Sequence, residues 1–526
     1  MSKRFISLVL LGVFLVQTTG CHSWRSHPPE AISEPGVVDS RPVRLKLTSG
    51  EDVEMRNVVI DEEERTVSGR VVSIDGVPKL PAQVVGADGV PRLTWRPMEF
   101  AIEDIVEFSV PEFSGTKTFF AVVGVPAITL GALFLIVALT KESCPFLYVQ
   151  GEDGLELRGE LYSGAIFAEV ERTDLLKLGE LTPDGDRVRL RLANEAWETQ
   201  YTDELTLLAV DHPRGTQVAP GVDGTIHTIG VSRAPLAATE SRRGSVLAQV
   251  ESHDELTWVP EPYERNLDDS AELRDQLVVS FPRPQGAAEA KLVVRIRNTY
   301  WADHAFGSFL GLLGSQMNTW YASQAREMTP AVWGTDFLAM HGFSLTVEWK
   351  GVQGWEEAGA FFPTGPIGWQ EEVLTIPLDP AAVAGTLDLR LTGGGMFWMV
   401  DQVAVDFGSD VPVILHELSP EEATDQEGVD VTDLLTAADD QYYVMPQPGH
   451  YADVTYRVPP LDPDMERTYL VRSEGYYIIH QKNSGPPDEA RVASIQADPD
   501  GFLRFSMERF WQANGYAPPQ SSHHPN

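Results

Sequence analysis

Apolar residues at every second position, in runs too short for a helix, most narrow the folds open to this chain. Val43, Leu45 and Leu47, a Ser49-Gly50 turn, then Val53 and Met55 read as a hairpin. Further runs at 67–74 and 100–110 give about five short strands within 42–113, which predicts a small antiparallel barrel or a single hairpin-rich sheet. Beyond residue 141, runs separated by Gly and Pro recur at 146–149, 155–161, 188–192, 204–210, 277–281, 292–297, 344–348, 373–376, 387–391 and 397–407. An alternating α/β fold does not fit this pattern, and a mainly β fold with a β-sandwich or jelly-roll domain over 144–418 does. After the acidic stretch 420–428, strands at 442–445, 452–458, 468–473 and 476–480 and a helix at 502–512 predict a small C-terminal β-rich unit over 429–513, with a disordered tail at 514–526.

The N-terminus reads as an address. Lys3 and Arg4 precede an apolar run at 5–16, and Thr18-Thr19-Gly20-Cys21 closes it with small residues, so residues 1–20 are expected to be a secretory signal peptide. The small residues before Cys21 resemble the lipobox of bacterial lipoproteins, although Thr18 stands where that family prefers Leu. The resemblance implies cleavage before Cys21 and a diacylglyceryl anchor on its thiol. His22 follows, where Asp would resemble an inner-membrane retention signal, so outer-membrane sorting stays open. Residues 21–41, with Pro28, Pro29, Pro35 and Gly36, are expected to be a tether.

Residues 118–140 carry no charge and lie between Lys117 and Lys141, which predicts a transmembrane or membrane-associated helix. Gly124, Pro126 and Gly131 leave room for a buried helix instead. With Cys21 outside, one true crossing puts residues 141–526 in the cytosol, whereas a packed segment keeps them outside. Basic residues at the two ends differ too little to choose.

Composition removes several functions. Forty Lys plus Arg stand against 77 Asp plus Glu, a net charge of −37, and such a surface repels phosphate backbones, so no nucleic-acid partner is expected. Two cysteines, Cys21 and Cys144, supply neither a disulfide scaffold nor a thiolate zinc site. The sequence holds no G-x-S-x-G, no phosphate loop, no H-E-x-x-H and no C-x-x-C, so no cofactor, metal or catalytic residue is assigned. Asp498-Pro499-Asp500-Gly501 hints at a calcium loop, but its glycine comes too early, and a turn fits better. Asp211-His212 and Asp303-His304 place a carboxylate beside an imidazole, yet neighbours on a strand face opposite ways.

Seven of the 12 tryptophans, at 301, 320, 333, 349, 355, 369 and 398, fall within one stretch. Exposed indole faces suit sugars, so Trp301 and Trp398, with Asp401 in the apolar run at 397–406, are candidate ligand-binding residues; core packing is the plainer expectation. That run resembles the late strand of galactose-binding-like jelly rolls. Residues 303–326 form a helical insertion in which Phe306, Phe309, Leu310, Leu313, Met317, Trp320 and Tyr321 recur at helical spacing, with Asp303 able to cap its start. Most such helices cover a sheet; Phe309, Leu313 and Trp320 are also candidates for contact with a membrane or partner.

Cys144-Pro145-Phe146-Leu147-Tyr148, Gly159-Glu160-Leu161-Tyr162-Ser163-Gly164-Ala165-Ile166-Phe167, Glu171-Arg172-Thr173-Asp174 and Glu198-Thr199-Gln200-Tyr201-Thr202-Asp203 resemble a family of uncharacterised bacterial envelope lipoproteins. Asp439-Asp440-Gln441-Tyr442-Tyr443 and Arg467-Thr468-Tyr469-Leu470-Val471-Arg472-Ser473-Glu474-Gly475-Tyr476 resemble regions beside extracellular FG-GAP-type repeats. The resemblance implies class and location, and no chemistry. Two functions follow as expectations. One is a non-enzymatic envelope lipoprotein, held by Cys21 and residues 118–140, that presents β-sandwich domains to a protein partner or glycan. The other is a carbohydrate-active hydrolase using paired carboxylates.

Overall fold

The computed structural model describes residues 22–27, 43–61, 65–74, 77–78, 82–85, 91–94, 98–113, 145–151, 154–254, 256–260, 265–327, 338, 341–351, 354–379, 385–481 and 483–513. Cys21 and the apolar stretch 118–140 lie outside them, and among the described residues no helix is long and apolar enough to cross a membrane. The fold is mainly β, and the chain divides into two compact units, 1–136 and 137–526.

In the first unit the predicted hairpin forms as read: Val43 lies opposite Met55 and Leu45 opposite Val53, and Gly50 turns the chain with φ +93°. Alternation along Val43–Leu47 sends Val43, Leu45 and Leu47 inward to a small core with Val53, Val67, Ile105 and Phe108. The antiparallel order runs from Ile105–Phe113 through Val43–Leu47, Asp52–Asp61 and Thr66–Ile74 to Met98–Ala101. A 3-10 turn, Ile102–Asp104, joins Met98–Ala101 directly to Ile105–Phe113. Residues expected in the tether contribute a strand, His22–His27, on the outer edge of Ile105–Phe113.

The second unit holds two pairs of stacked sheets. In the first pair, one sheet orders Gly154–Glu160, Phe146–Gly151, Arg187–Ala193, Tyr451–Arg457 and Glu422–Asp425. Its partner orders Arg172–Gly179, Met465–Ile479, Glu198–Pro213 and Ile414–Leu418, with Tyr443–Met445 also on Glu198–Pro213. Tyr456 bridges the two layers, its hydroxyl donating to the Leu205 carbonyl at 2.7 Å. The strands after residue 428, expected as a separate unit, thus pair with strands from 172–213. Chain direction hides this, because the intervening residues form the second pair of sheets. There, Arg274–Arg283, Gly385–Gly394 and Leu345–Gly351 face Glu289–Asn298, Gln370–Pro377 and Trp398–Asp406 across a core that includes Leu277, Leu391, Val294 and Val403.

The helical insertion is two helices, α1 (Tyr300–Leu312) and α2 (Met317–Glu327), separated by a 3-10 turn at Gly314–Gln316. Thr299 caps α1 by accepting the Ala302 amide, so the cap lies one turn earlier than Asp303, which sits in the first turn. Gly314 holds φ +52°, and a Cβ there would meet the Gly485 carbonyl at 2.6 Å, so the break between the helices requires glycine. Helices α3 (Glu489–Ala497) and α4 (Gly501–Ala513) pack on α1, with Phe502 among Phe306, Phe309, Phe343 and Phe397. Asp498 and Asp500, at the turn between α3 and α4, pair with Arg504 and Arg274.

Candidate functional site

The sequence-predicted ligand and membrane residues are placed inside the fold. Trp398 is 1% exposed with its indole against Gly393, and Asp401 is fully buried and paired to Arg295 at 2.7 Å. Trp301 is half-buried, donates to Ser506 at 3.0 Å and meets Phe510 edge-on. Phe309, Leu313 and Trp320 are buried in the main core, where Phe309 packs between Trp320 of α2 and Phe502 of α4. Asp211 and His212 do face opposite ways: Asp211 binds Arg467 and His416, whereas His212 bonds Thr468 at 2.9 Å. Burial pushes the Asp211 carboxyl up, but the Arg467 and His416 bonds outweigh it and hold it below the usual range.

The outer face of the sheet containing Glu198–Pro213 is differently built. Tyr201 lies opposite Tyr476 in register, and the rings stack at 4.5 Å, a cross-strand pair. One residue later the register slips between Thr202 and Glu204, so Asp203 bulges out of the ladder. A bulge re-aims a side chain, and Asp203 turns its Oδ2 to the Asp440 amide at 3.0 Å. Asp440 holds φ +65° at the turn that brings Tyr442 edge-on to Tyr201 at 6.0 Å and to Tyr476 at 5.5 Å. Gly475 lets the strands close here: a Cβ would meet the Tyr201 carbonyl at 2.3 Å. Tyr442 donates its hydroxyl to Glu171 at 2.9 Å, and Thr173 donates to Glu474 at 3.0 Å.

Glu171 begins the wall of a cleft of about 740 Å³ that continues through Asp174, Leu175, Leu208, Phe362, Glu372 and Arg472. Asp174 accepts the Tyr162 amide at 2.9 Å, and Arg472 joins Glu204 and Glu417, both at 2.9 Å. Burial, then the Asp174 charge, push the Glu372 carboxyl up to about 8, with Arg172 opposing. Glu372 is therefore mostly protonated at neutral pH. Across the edge strand Ile414–Leu418 lies a second groove of about 1010 Å³, reached by His416 and Leu418, while Leu415 and Glu417 face the first.

Segments far apart in the chain thus meet here: Glu171 to Asp174, Tyr201 to Asp203, Asp440 to Tyr442, and Glu474 to Tyr476. No pattern in the sequence marks these tyrosines as site residues, and none marks Glu372 or the edge strand. In the sequence each tyrosine stands two positions from an acid, Tyr201 from Asp203, Tyr442 from Asp440 and Tyr476 from Glu474, in segments far apart in the chain. Among the described residues, no group of three or more His, Cys, Asp or Glu has the arrangement of a metal site.

No family model matches the chain, and no curated protein matches it. Among solved structures, Sulfolobus turreted icosahedral virus is similar at 7% identity, covering 59% of this chain and 91% of that one, with a TM-score of 0.12. The Gt strain of infectious bursal disease virus aligns at 9% identity over 94% and 91% of the two chains, with a TM-score of 0.13. Scores this low carry no inference about fold or function.

Proposed function

We propose that the chain is a non-enzymatic envelope lipoprotein, attached to a membrane through Cys21 and residues 118–140, that captures an extended segment of a partner protein. On this reading the stacked sheets are β-sandwiches of jelly-roll type, and the N-terminal sheet is a small barrel whose ends meet through the turn Ile102–Asp104. The observation that carries the reading is the edge strand Ile414–Leu418. Among the described residues it pairs only with Glu198–Pro213, leaving its other side open, and Ile414 and Leu415 are 51% and 42% exposed. An added strand gains main-chain bonds from such an edge and specificity from pockets that take alternate side chains. Grooves on both sides of Ile414–Leu418 supply those pockets.

The test is selection from a random-peptide library on purified protein, followed by hydrogen exchange. Bound peptides are expected to slow exchange of the amides in 414–418. A pool that yields no binder, or peptides or oligosaccharides that protect other segments only, overturns the strand-addition reading. In cells, Cys21→Ser is expected to lose fatty-acid labelling, which separates attachment from capture.

A second reading has one specific observation in its favour. A carboxylic acid kept protonated near neutrality beside another carboxylate is what a glycoside hydrolase uses, and Glu372 and Asp174 share the cleft.

A further inference from the structure

The three tyrosines Tyr201, Tyr442 and Tyr476 lie among Glu171, Asp203, Asp440 and Glu474. Among the described residues none of these four carboxylates forms an ion pair, although Arg172 pairs with Asp174 and Arg472 with Glu204 on the adjoining strands. The charged neighbours that act most strongly on Glu171 are carboxylates: Glu474, Asp203 and Asp440. The tyrosines are half-buried, so part of the cluster faces solvent.

A second observation is independent of the acidic count. Asp203 is only 2% exposed, its Oδ2 takes the Asp440 amide, and its Oδ1 has no hydrogen-bond donor from the protein. An oxygen of a buried carboxylate without a donor or a counter-charge is costly, and the bulge that turns Asp203 into this position builds that cost into the fold. A positive ligand removes it.

We propose that this cluster binds an organic cation, a primary or quaternary alkylammonium. The rings decide between an organic cation and a metal ion. A tyrosine face attracts a cation within about 6 Å of its centroid, and such faces suit large, weakly hydrated ammonium groups. No three carboxylates among the described residues converge as metal ligands. The ammonium belongs to a free amine or to a lysine side chain of a polypeptide; the chemistry is shared. The site adjoins the cleft beside the edge strand through Glu171, but its proposal does not rest on strand addition.

The test is saturation-transfer difference NMR on the full chain, with choline chloride and N-acetyl-lysine amide as probes and 3,3-dimethylbutanol as the uncharged analogue of choline. The expected result is transfer to the charged probes and far less to the neutral one. Asp203→Asn and, separately, Glu474→Gln are each expected to weaken binding roughly fivefold, with the melting temperature near that of the wild type for Glu474→Gln and at or above it for Asp203→Asn. Transfer to lysine amide alone identifies a polypeptide source, and transfer to choline alone a small molecule; both sustain the site. Equal transfer to choline and its neutral analogue overturns the proposal. So do wild-type binding in both variants, no binding of either charged probe, or displacement of choline by calcium at lower concentration. Should Asp203→Asn unfold, Glu474→Gln, on the half-buried outer face, carries the test alone.

Discussion

The two pairs of stacked sheets surround their partly exposed aromatic residues differently, with arginines in one and carboxylates in the other. In the pair built from 237–406, Trp258, Phe361, Phe397 and Trp398 go inward and are essentially without exposure, while the half-buried Trp355 and Trp369 lie against Arg390 and Arg297. In the pair built from 146–213 and 414–479, tyrosines divide. Tyr162 and Tyr456 go inside, where each hydroxyl has a partner, Thr202 or the Leu205 carbonyl, both at 2.7 Å. Tyr201, Tyr442 and Tyr476 stay at the surface among carboxylates. Burial of a ring is favourable in both pairs, and the hydroxyl decides where a tyrosine can accept it. The surface tyrosines are left with acids, so an aromatic platform exists in the molecule, in the pair that is poor in tryptophan.

The largest expected effect tests the inward half of this contrast. Trp398→Ala removes a side chain 1% exposed and should destabilise the chain by roughly 3–5 kcal/mol, lowering the urea midpoint strongly. Tyr476→Ala, at a half-buried position, should cost about 1 kcal/mol. Similar losses for the two variants would erase the distinction between the pairs.

An intermediate effect lies in the cleft. Glu372 titrates near 4.5 in an unfolded chain and near 8 in the fold, because burial and then Asp174 disfavour its charge. Between those values the unfolded chain has released a proton that the native chain keeps. Stability contributed by this group is therefore full below about 4.5 and is lost as pH rises through about 8. Glu372→Gln should remove that slope, melting several degrees above wild type at alkaline pH and alongside it in mild acid. A melting curve with the same pH dependence in both proteins means the carboxyl is well solvated. Glycoside hydrolysis that disappears in this variant would turn the cleft from docking to catalysis.

Much of the β character was legible because period-two alternation depends only on neighbours in the chain: Val43, Leu45 and Leu47 point inward as their spacing predicts. The apolar spacing of 303–326 likewise gave helices, while Gly314 placed a break that spacing could not show. The pairing of Glu198–Pro213 with Met465–Ile479 joins residues more than 250 positions apart, and no local pattern announces it. The tyrosine cluster depends on that pairing, on a bulge at Asp203 and on a turn at Asp440. Clustering of tryptophan in the sequence pointed to the other pair of sheets, where Trp398 and Trp320 fill the core. Abundance along the chain measures how much core a segment must fill, and says little about which face of a sheet the rings occupy.

The smallest expected effect separates ring from hydroxyl in the surface cluster. Tyr442→Phe keeps the edge-on packing against Tyr201 and Tyr476 but removes the bond to Glu171. Burial raises the Glu171 carboxyl; the Tyr442 bond opposes that, and Glu474, Asp203 and Asp440 add to it. Losing the hydroxyl should therefore raise Glu171 further. A bond to a carboxylate is strongest when the carboxylate is charged, so the destabilisation, about 1 kcal/mol, should be present at neutral pH and shrink as acid protonates Glu171 in wild type and variant alike. Alkylammonium binding should change by less than about twofold, because the ring face that attracts a cation remains. Tyr442→Leu deletes that face and should weaken binding more than Tyr442→Phe does. Thermal melts across pH and choline titrations of the two variants read these quantities separately. If Tyr442→Phe abolishes choline binding while the melt is little changed, the hydroxyl and not the ring holds the ligand, and the surface tyrosines serve as hydrogen-bond donors instead of an aromatic platform.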